Sequence, residues 1–157
     1  MEQYRIRDFN KNKPTKHGSM DKQVDFYILS QPTFRNCFNF CAKLTSKVYR
    51  EQGGCEISID NQGITQELDQ FLWEFKTEAF LPHHIDENHA NNIIVASNSK
   101  NIDSILINCK PADQVHRQTW QRLLQIVPNN PDLLALARTQ FRHYQQNNIN
   151  VNTHKIG

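Results

Sequence analysis

No apolar run in this 157-residue chain approaches the roughly 20 residues that cross a membrane as a helix. Its first residues also lack the charged-then-apolar order of a secretory leader, so a cytoplasmic protein with no membrane partner is expected. Glycine is scarce, at five residues, and none makes a Gly-rich turn after the first apolar segment, where Ser30-Gln31-Pro32-Thr33 stands. A phosphate loop is therefore missing. No serine sits in a nucleophile elbow and no paired-carboxylate motif stands out. Active sites also assemble from distant residues, so an enzyme stays open on this ground alone. The four cysteines, Cys37, Cys41, Cys55 and Cys109, fall in regular apolar segments and read as small buried hydrophobes, not as a disulfide frame. A formal charge of +2 is too small for nucleic-acid binding through the bulk field.

What is present is an alternation of strand and helix patterns. Val24 to Leu29 reads as a buried strand. Phe34, Cys37, Phe38, Cys41, Leu44 and Val48 recur at helical spacing, and Gly53-Gly54 stops that helix. Cys55, Ile57 and Ile59 alternate with Glu56, Ser58 and Asp60, as in a strand with one more polar side. After a turn at Asn61-Gln62-Gly63, Thr65 is placed to cap a short helix with Glu67 in its first turn. Ile93-Ile94-Val95 and Ile102 to Cys109 are strand candidates. Pro111 to Trp120 is a polar connection with room for a helix, and Leu123 to Val127 reads as the final extended segment. The expected fold class is α/β: a three-layer α/β/α sandwich with a mainly parallel central sheet, Rossmann-like but lacking a phosphate loop. One domain is expected over residues 23–157. Residues 1–22, basic and without apolar periodicity, read as a flexible N-terminal extension or a vector-derived segment with a junction at His17-Gly18-Ser19-Met20; a functional basic arm competes with that.

Three groups of residues are candidates for function. The last helix opens at Asn130, Pro131 and Asp132, which suit the N-cap, the first helical position and the positive end of the dipole, and runs to about Gln146. Leu133, Leu136, Ala137, Gln140 and Tyr144 form the face expected to be buried. Leu134, Arg138, Phe141 and Gln145 form a second stripe beside Arg142. That stripe is either a solvated face with one stray ring or a docking site for a ligand both apolar and anionic, such as an acidic peptide ending in an aromatic residue. Trp73 and Phe80 are large rings with no periodic role, read either as core filling or as partner anchors. His83, His84 and His89, with Asp86 and Glu87, match no metal-ligand spacing, and a polar loop is the better reading; no metal and no cofactor are expected.

Three blocks resemble one family, the chi subunit of bacterial DNA polymerase III holoenzyme. They are the strand Val24-Asp25-Phe26-Tyr27-Ile28-Leu29 close after Met20; Leu68-Asp69-Gln70-Phe71-Leu72-Trp73 with Ala79-Phe80-Leu81-Pro82-His83; and Val127-Pro128, Leu136-Ala137-Arg138, Tyr144 and Asn150-Val151-Asn152-Thr153. The resemblance implies a non-catalytic clamp-loader accessory protein supporting DNA replication. It implies two partners, the psi subunit and the acidic, Pro-Phe-ending C-terminal tail of single-stranded-DNA-binding protein, with nucleic acid engaged mainly indirectly. By that resemblance Val127, Leu134, Arg138, Phe141 and Arg142 line the tail site, with Arg138 on the terminal carboxylate, and Trp73 and Phe80 face psi. In some relatives the latter surface meets a helicase-like repair protein. The family often has Lys where this chain has Leu134 and Tyr where it has Phe141, so apolar contact carries more of the expected affinity here. The competing class is a nucleotide-handling enzyme or a direct nucleic-acid binder, drawn only from the sheet architecture and mild basicity.

Overall fold

The computed structural model describes residues 22–59, 61–75, 81–86, 92–96, 104–115 and 119–157. Seven strands and three α-helices occur among them, with a single 3-10 turn (Arg35–Cys37) leading into the first helix: β1 (Gln23–Leu29), α1 (Phe38–Gln52), β2 (Gly54–Ser58), α2 (Gln62–Glu74), β3 (His83–Asp86), β4 (Asn92–Ala96), β5 (Ile105–Asn108), β6 (Arg122–Val127), α3 (Pro131–Gln146) and β7 (Asn150–Ile156). They form one sheet in the order β3-β4-β2-β5-β6-β1-β7. β2, β5, β6, β1 and β7 are parallel, and β4 pairs antiparallel with both β2 and β3. This is the expected α/β/α sandwich with a mainly parallel sheet.

Period-two alternation decides which side chains meet which layer. On β1, Tyr27 and Leu29 join the cluster under α1 and α2, which includes Leu44, Val48, Leu68, Leu72 and Ile57. Val24 and Phe26 join the cluster under α3, with Leu106, Trp120, Leu123, Val127, Ala137 and Tyr144. Burial of each Leu, Ile or Phe of this kind contributes on the order of 1.5–3 kcal/mol, so both layers are needed to hold the sheet. β2 differs from expectation. All five of its residues are buried, Glu56 and Ser58 included, because the sheet is covered on both sides there. Glu56 accepts a hydrogen bond from the Asn92 side chain across the β2–β4 pair, which satisfies a carboxylate otherwise costly to bury.

Local chemistry explains most of the element ends. Gly53 closes α1 at φ 90°, and its N–H donates to Tyr49 O at 2.9 Å, the left-handed cap that glycine adopts at least cost. α2 begins a turn earlier than expected. Asn61, not Thr65, is its N-cap, with Oδ1 accepting from Gly63 N at 2.7 Å and Ile64 N at 3.3 Å. Thr65 instead lies buried inside the helix, its hydroxyl donating to Asn61 O. α3 has the expected Asn130 cap and Pro131 start, and Asn148 takes a positive φ of 61° past its end. His83–Asp86, expected as a loop, is a short strand instead, because pairing with β4 satisfies its backbone. In the Pro111–Trp120 connection no helix occurs among the described residues. The four cysteines are free; Cys37, Cys41 and Cys55 are buried and Cys109 is half-buried. Burial pushes the Cys37 thiol up to about 12 and the Cys55 and Cys109 thiols up as well, so these are inert core groups.

Candidate functional site

α3 lies over the sheet edge formed by β1 and β7, and its contact stripe is not quite the face the periodicity predicts. Ala137 and Tyr144 are buried as expected, whereas Leu133, Leu136 and Gln140 are only half-buried. Leu134 and Phe141 are half-buried too, and both pack on the core beneath α3. The stripe that follows the sheet is therefore Leu133, Leu134, Ala137, Phe141 and Tyr144, with Leu136 and Gln140 at its margin. Phe26 receives both rings, with centroids 5.9 Å from Phe141 and 6.3 Å from Tyr144, and Trp120 meets Tyr144 edge-on at 6.2 Å. Burial raises the Tyr144 hydroxyl above its ordinary pKa.

The other side of the Phe141 ring faces an open groove of about 480 Å³ between α3 and the sheet edge. Its floor is Phe26 and Ile28 of β1 with Thr153 and Lys155 of β7, and its wall is Leu134, Ala137, Arg138, Phe141 and Arg142 of α3. Four of the five residues assigned to the tail site therefore come together. Val127 does not join them. It is 2% exposed, lies in register with Ile28 one strand further in, and lines a second hollow. β6 runs too deep beneath α3 for its side chain to reach the groove. The groove is apolar at its base and cationic at its rim, where Arg138, Arg142 and Lys155 gather with no carboxylate among the lining residues. Such a site attracts an anion and holds an apolar group beside it.

Thr153, Lys155, Phe26 and Ile28 were not among the site residues read from sequence. The reason is β7, which no pattern announces. Val151, Thr153 and Lys155 alternate with Asn150, Asn152 and His154, so both of its faces look polar. β7 is tied in by a buried charge cluster on the opposite face of the sheet. Asp25, 0% exposed, accepts from Arg122 Nη2 of β6 at 2.9 Å, and its other oxygen lies 2.9 Å from His154 Nε2 of β7. Gln23 Nε2 adds a bond at 3.2 Å. Burial alone would raise the Asp25 carboxyl, but the bonds from His154 and Arg122 and their charges override it and hold its pKa below the ordinary value. Tyr27 stacks on His154 with centroids 4.8 Å apart.

Trp73 stands on the outer side of α2, 48% exposed, the one large exposed hydrophobic among the described residues. Its ring lies 4.1 Å from the buried His83 ring. His83 is held by Leu81 O at 2.7 Å and Asp69 O at 3.2 Å, so its nitrogens are turned into the fold. Phe80, Glu87 and His89 lie outside the described residues. Among the described residues no three metal-ligating side chains converge.

The second hollow, about 250 Å³, sits beyond the carboxyl ends of β5 and β6, where open α/β sheets often take nucleotides. Its lining includes Phe34, Ile64, Ile126, Val127, Pro128 and Leu133. The neighbouring helix start has no amide to spare for a phosphate. Pro131 has none, Asp132 and Leu133 donate to Asn130 Oδ1 at 3.0 and 3.2 Å, and Leu134 donates to Asn130 O at 2.9 Å. The hollow therefore lacks the helix-terminus cradle of a nucleotide site.

Comparison with known proteins places the chain. The family model described as "DNA polymerase III chi subunit, HolC" matches residues 20–152. The DNA polymerase III subunit chi of Pseudomonas aeruginosa is 24% identical over 137 residues, covering 85% of this chain and 96% of that protein. The subunit of the same name from Haemophilus influenzae is 21% identical over 144 residues, covering 88% of this chain and all of the relative. The match runs from before β1 through α1, α2 and α3 to the first residues of β7, and the chain belongs to the DNA polymerase III chi subunit family.

Proposed function

We propose that this chain is a non-catalytic accessory subunit of the DNA polymerase III holoenzyme, working in the cytoplasmic replisome. In this reading it grips the acidic C-terminal tail of single-stranded-DNA-binding protein in the groove between α3 and β7 and joins the clamp loader through psi. Residues 23–157 act as one domain, and residues 1–22 are an extension outside that role. One observation carries the reading: an apolar cleft ringed by Arg138, Arg142 and Lys155, with no acid in its lining. An aspartate-rich peptide ending in an aromatic ring and a free carboxylate matches it group for group. The tail's ring lies on Phe141, Leu134 and Phe26, the terminal carboxylate meets the Arg138 guanidinium, and Arg142 and Lys155 attract the aspartates.

Calorimetric titration with a synthetic acidic peptide ending in Pro-Phe tests this. Saturable one-to-one binding is expected, weakening as salt rises from about 0.05 to 0.5 M because the rim charges are solvent-exposed. Amidating the peptide's C-terminus is expected to weaken it further. No binding of the peptide, alongside binding of ATP or a bare oligonucleotide, would overturn the proposal.

The psi surface is assigned to the exposed ring of Trp73 on α2, with Phe80 as its companion. The Trp73→Ala variant is expected to lose most co-purification with psi, since exposed aromatic anchors carry interface energy. Its peptide affinity should stay within about twofold, because Trp73 is not among the residues lining the groove. Equal loss of both activities would mean that Trp73 supports the fold and is not a contact.

A further inference from the structure

We infer that the acidic segment held in the groove binds as an added strand on the open edge of β7, so that main-chain hydrogen bonds, not only side-chain contacts, hold it. This rests on the reading of the groove given above and specifies how its occupant lies.

The hydrogen-bond parity of the sheet supplies the argument. Gln23 N donates to Gln121 O at 3.0 Å, with Gln23 in register with Arg122. In a parallel ladder the residue that donates across to one neighbour also accepts from it, and the next residue faces the other way. Odd residues of β1 therefore point their amides and carbonyls at β6, and even residues point theirs at β7. Val24, Phe26 and Ile28 lie in register with Val151, Thr153 and Lys155. Their bonds go to the residues on either side of those partners, Asn150, Asn152, His154 and Ile156. This leaves the N–H and C=O groups of Val151, Thr153 and Lys155 directed outward, and β7 ends the sheet, with no further strand among the described residues.

Thr153 and Lys155, which line the groove, are thus two of the three residues whose main chain is open at the edge. An extended chain lying against β7 would satisfy these groups and pass its side chains alternately over the groove and away from it. The edge is seven residues long, regular and free of proline, so it is not blunted by shape. Charge selects the occupant. Pairing of β7 with a second copy of this chain would bring two sets of Lys155, Arg138 and Arg142 together, which like-charge repulsion opposes. An aspartate-rich segment meets the same rim with opposite charge.

Backbone amide hydrogen exchange of the full chain, with and without a saturating synthetic acidic peptide ending in Pro-Phe, reads this directly. The Val151, Thr153 and Lys155 amides are expected to slow by tenfold or more on saturation, while Asn152 and His154, already bonded to β1, change little. A second arm uses peptides carrying single ester replacements of the backbone N–H; one register of replacement should lose about threefold to tenfold in affinity and the alternate register little. Binding that depends on Arg138 but leaves the three odd amides unprotected would overturn strand addition and leave the groove assignment standing. No binding at all would overturn both. Protection that grows with protein concentration in the absence of peptide would assign the edge to a second copy.

Discussion

Replacing Asp25 with Ala is expected to destabilise the protein by about 3–5 kcal/mol, the usual cost of leaving a buried charge without its partner. Asp25 is fully buried, and the side chain of Arg122 is only 11% exposed, so water does little to compensate either group. For a domain of this size the loss corresponds to a fall in Tm of roughly 6–20 °C. Urea denaturation at pH 7 measures it. The pH dependence gives a second check. The Asp25 pKa is lowered in the folded state, so the unfolded chain takes up the proton first as pH falls. The stabilisation is therefore complete above about pH 4, near the ordinary carboxylate value, and disappears below it. The gap between wild type and Asp25→Ala should narrow as pH falls below about 4. A gap that persists unchanged at pH 2.5 would mean that packing, not charge, accounts for the loss.

The consequence reaches function because Asp25 joins β6, β1 and β7 through Arg122 and His154. Thr153 and Lys155, the neighbours of His154, form the outer floor of the groove on the other face of the sheet. A loosened β7 would blur that floor. In the destabilised variant, peptide binding should weaken even at temperatures where the helices remain intact.

Arg138→Ala is expected to reduce affinity for the acidic tail peptide by about tenfold to a hundredfold, the worth of a charge-assisted bond to a carboxylate. Its stability should move by less than about 0.5 kcal/mol, because Arg138 is exposed on α3. Arg138→Lys should recover only part of the affinity, since a point charge replaces a planar fork. Arg142→Ala should act mainly on the association rate and on the salt dependence, as rim charges do. Calorimetry and stopped-flow binding separate the two. An Arg138→Ala protein that binds an amidated peptide and a free-carboxylate peptide with the same ratio as wild type would remove Arg138 from the carboxylate.

The outline of this protein was legible from its sequence wherever the deciding interactions are local. Asn130, Pro131 and Asp132 place the start of α3 because a cap acts on amides two and three residues away. Gly53 ends α1 because one residue alone takes the left-handed turn. The spacing of Phe38, Cys41, Leu44 and Val48 declares a buried face for the same reason. Local signals also compete, and at α2 the Asn61 side chain took the cap that Thr65 was expected to hold. The alternation on β2 misled about burial, since the pattern reports side-chain polarity and not what covers the strand.

By itself, then, the sequence determined the class of fold, the limits of the last helix, and the pairing of Phe141 with Arg138 on that helix, all through contacts within a turn or two. Only the tertiary structure decided that β7 joins the sheet beyond β1, across a separation of 129 positions between Asp25 and His154. Nothing in a polar segment of Asn, Thr, His and Lys specifies that placement, because the energy comes from a buried carboxylate and a backbone ladder supplied by distant strands. That placement sets Thr153 and Lys155 opposite Arg138 and Phe141 and leaves Val127 beneath them, so the groove exists through pairing between strands and not through any stretch of chain.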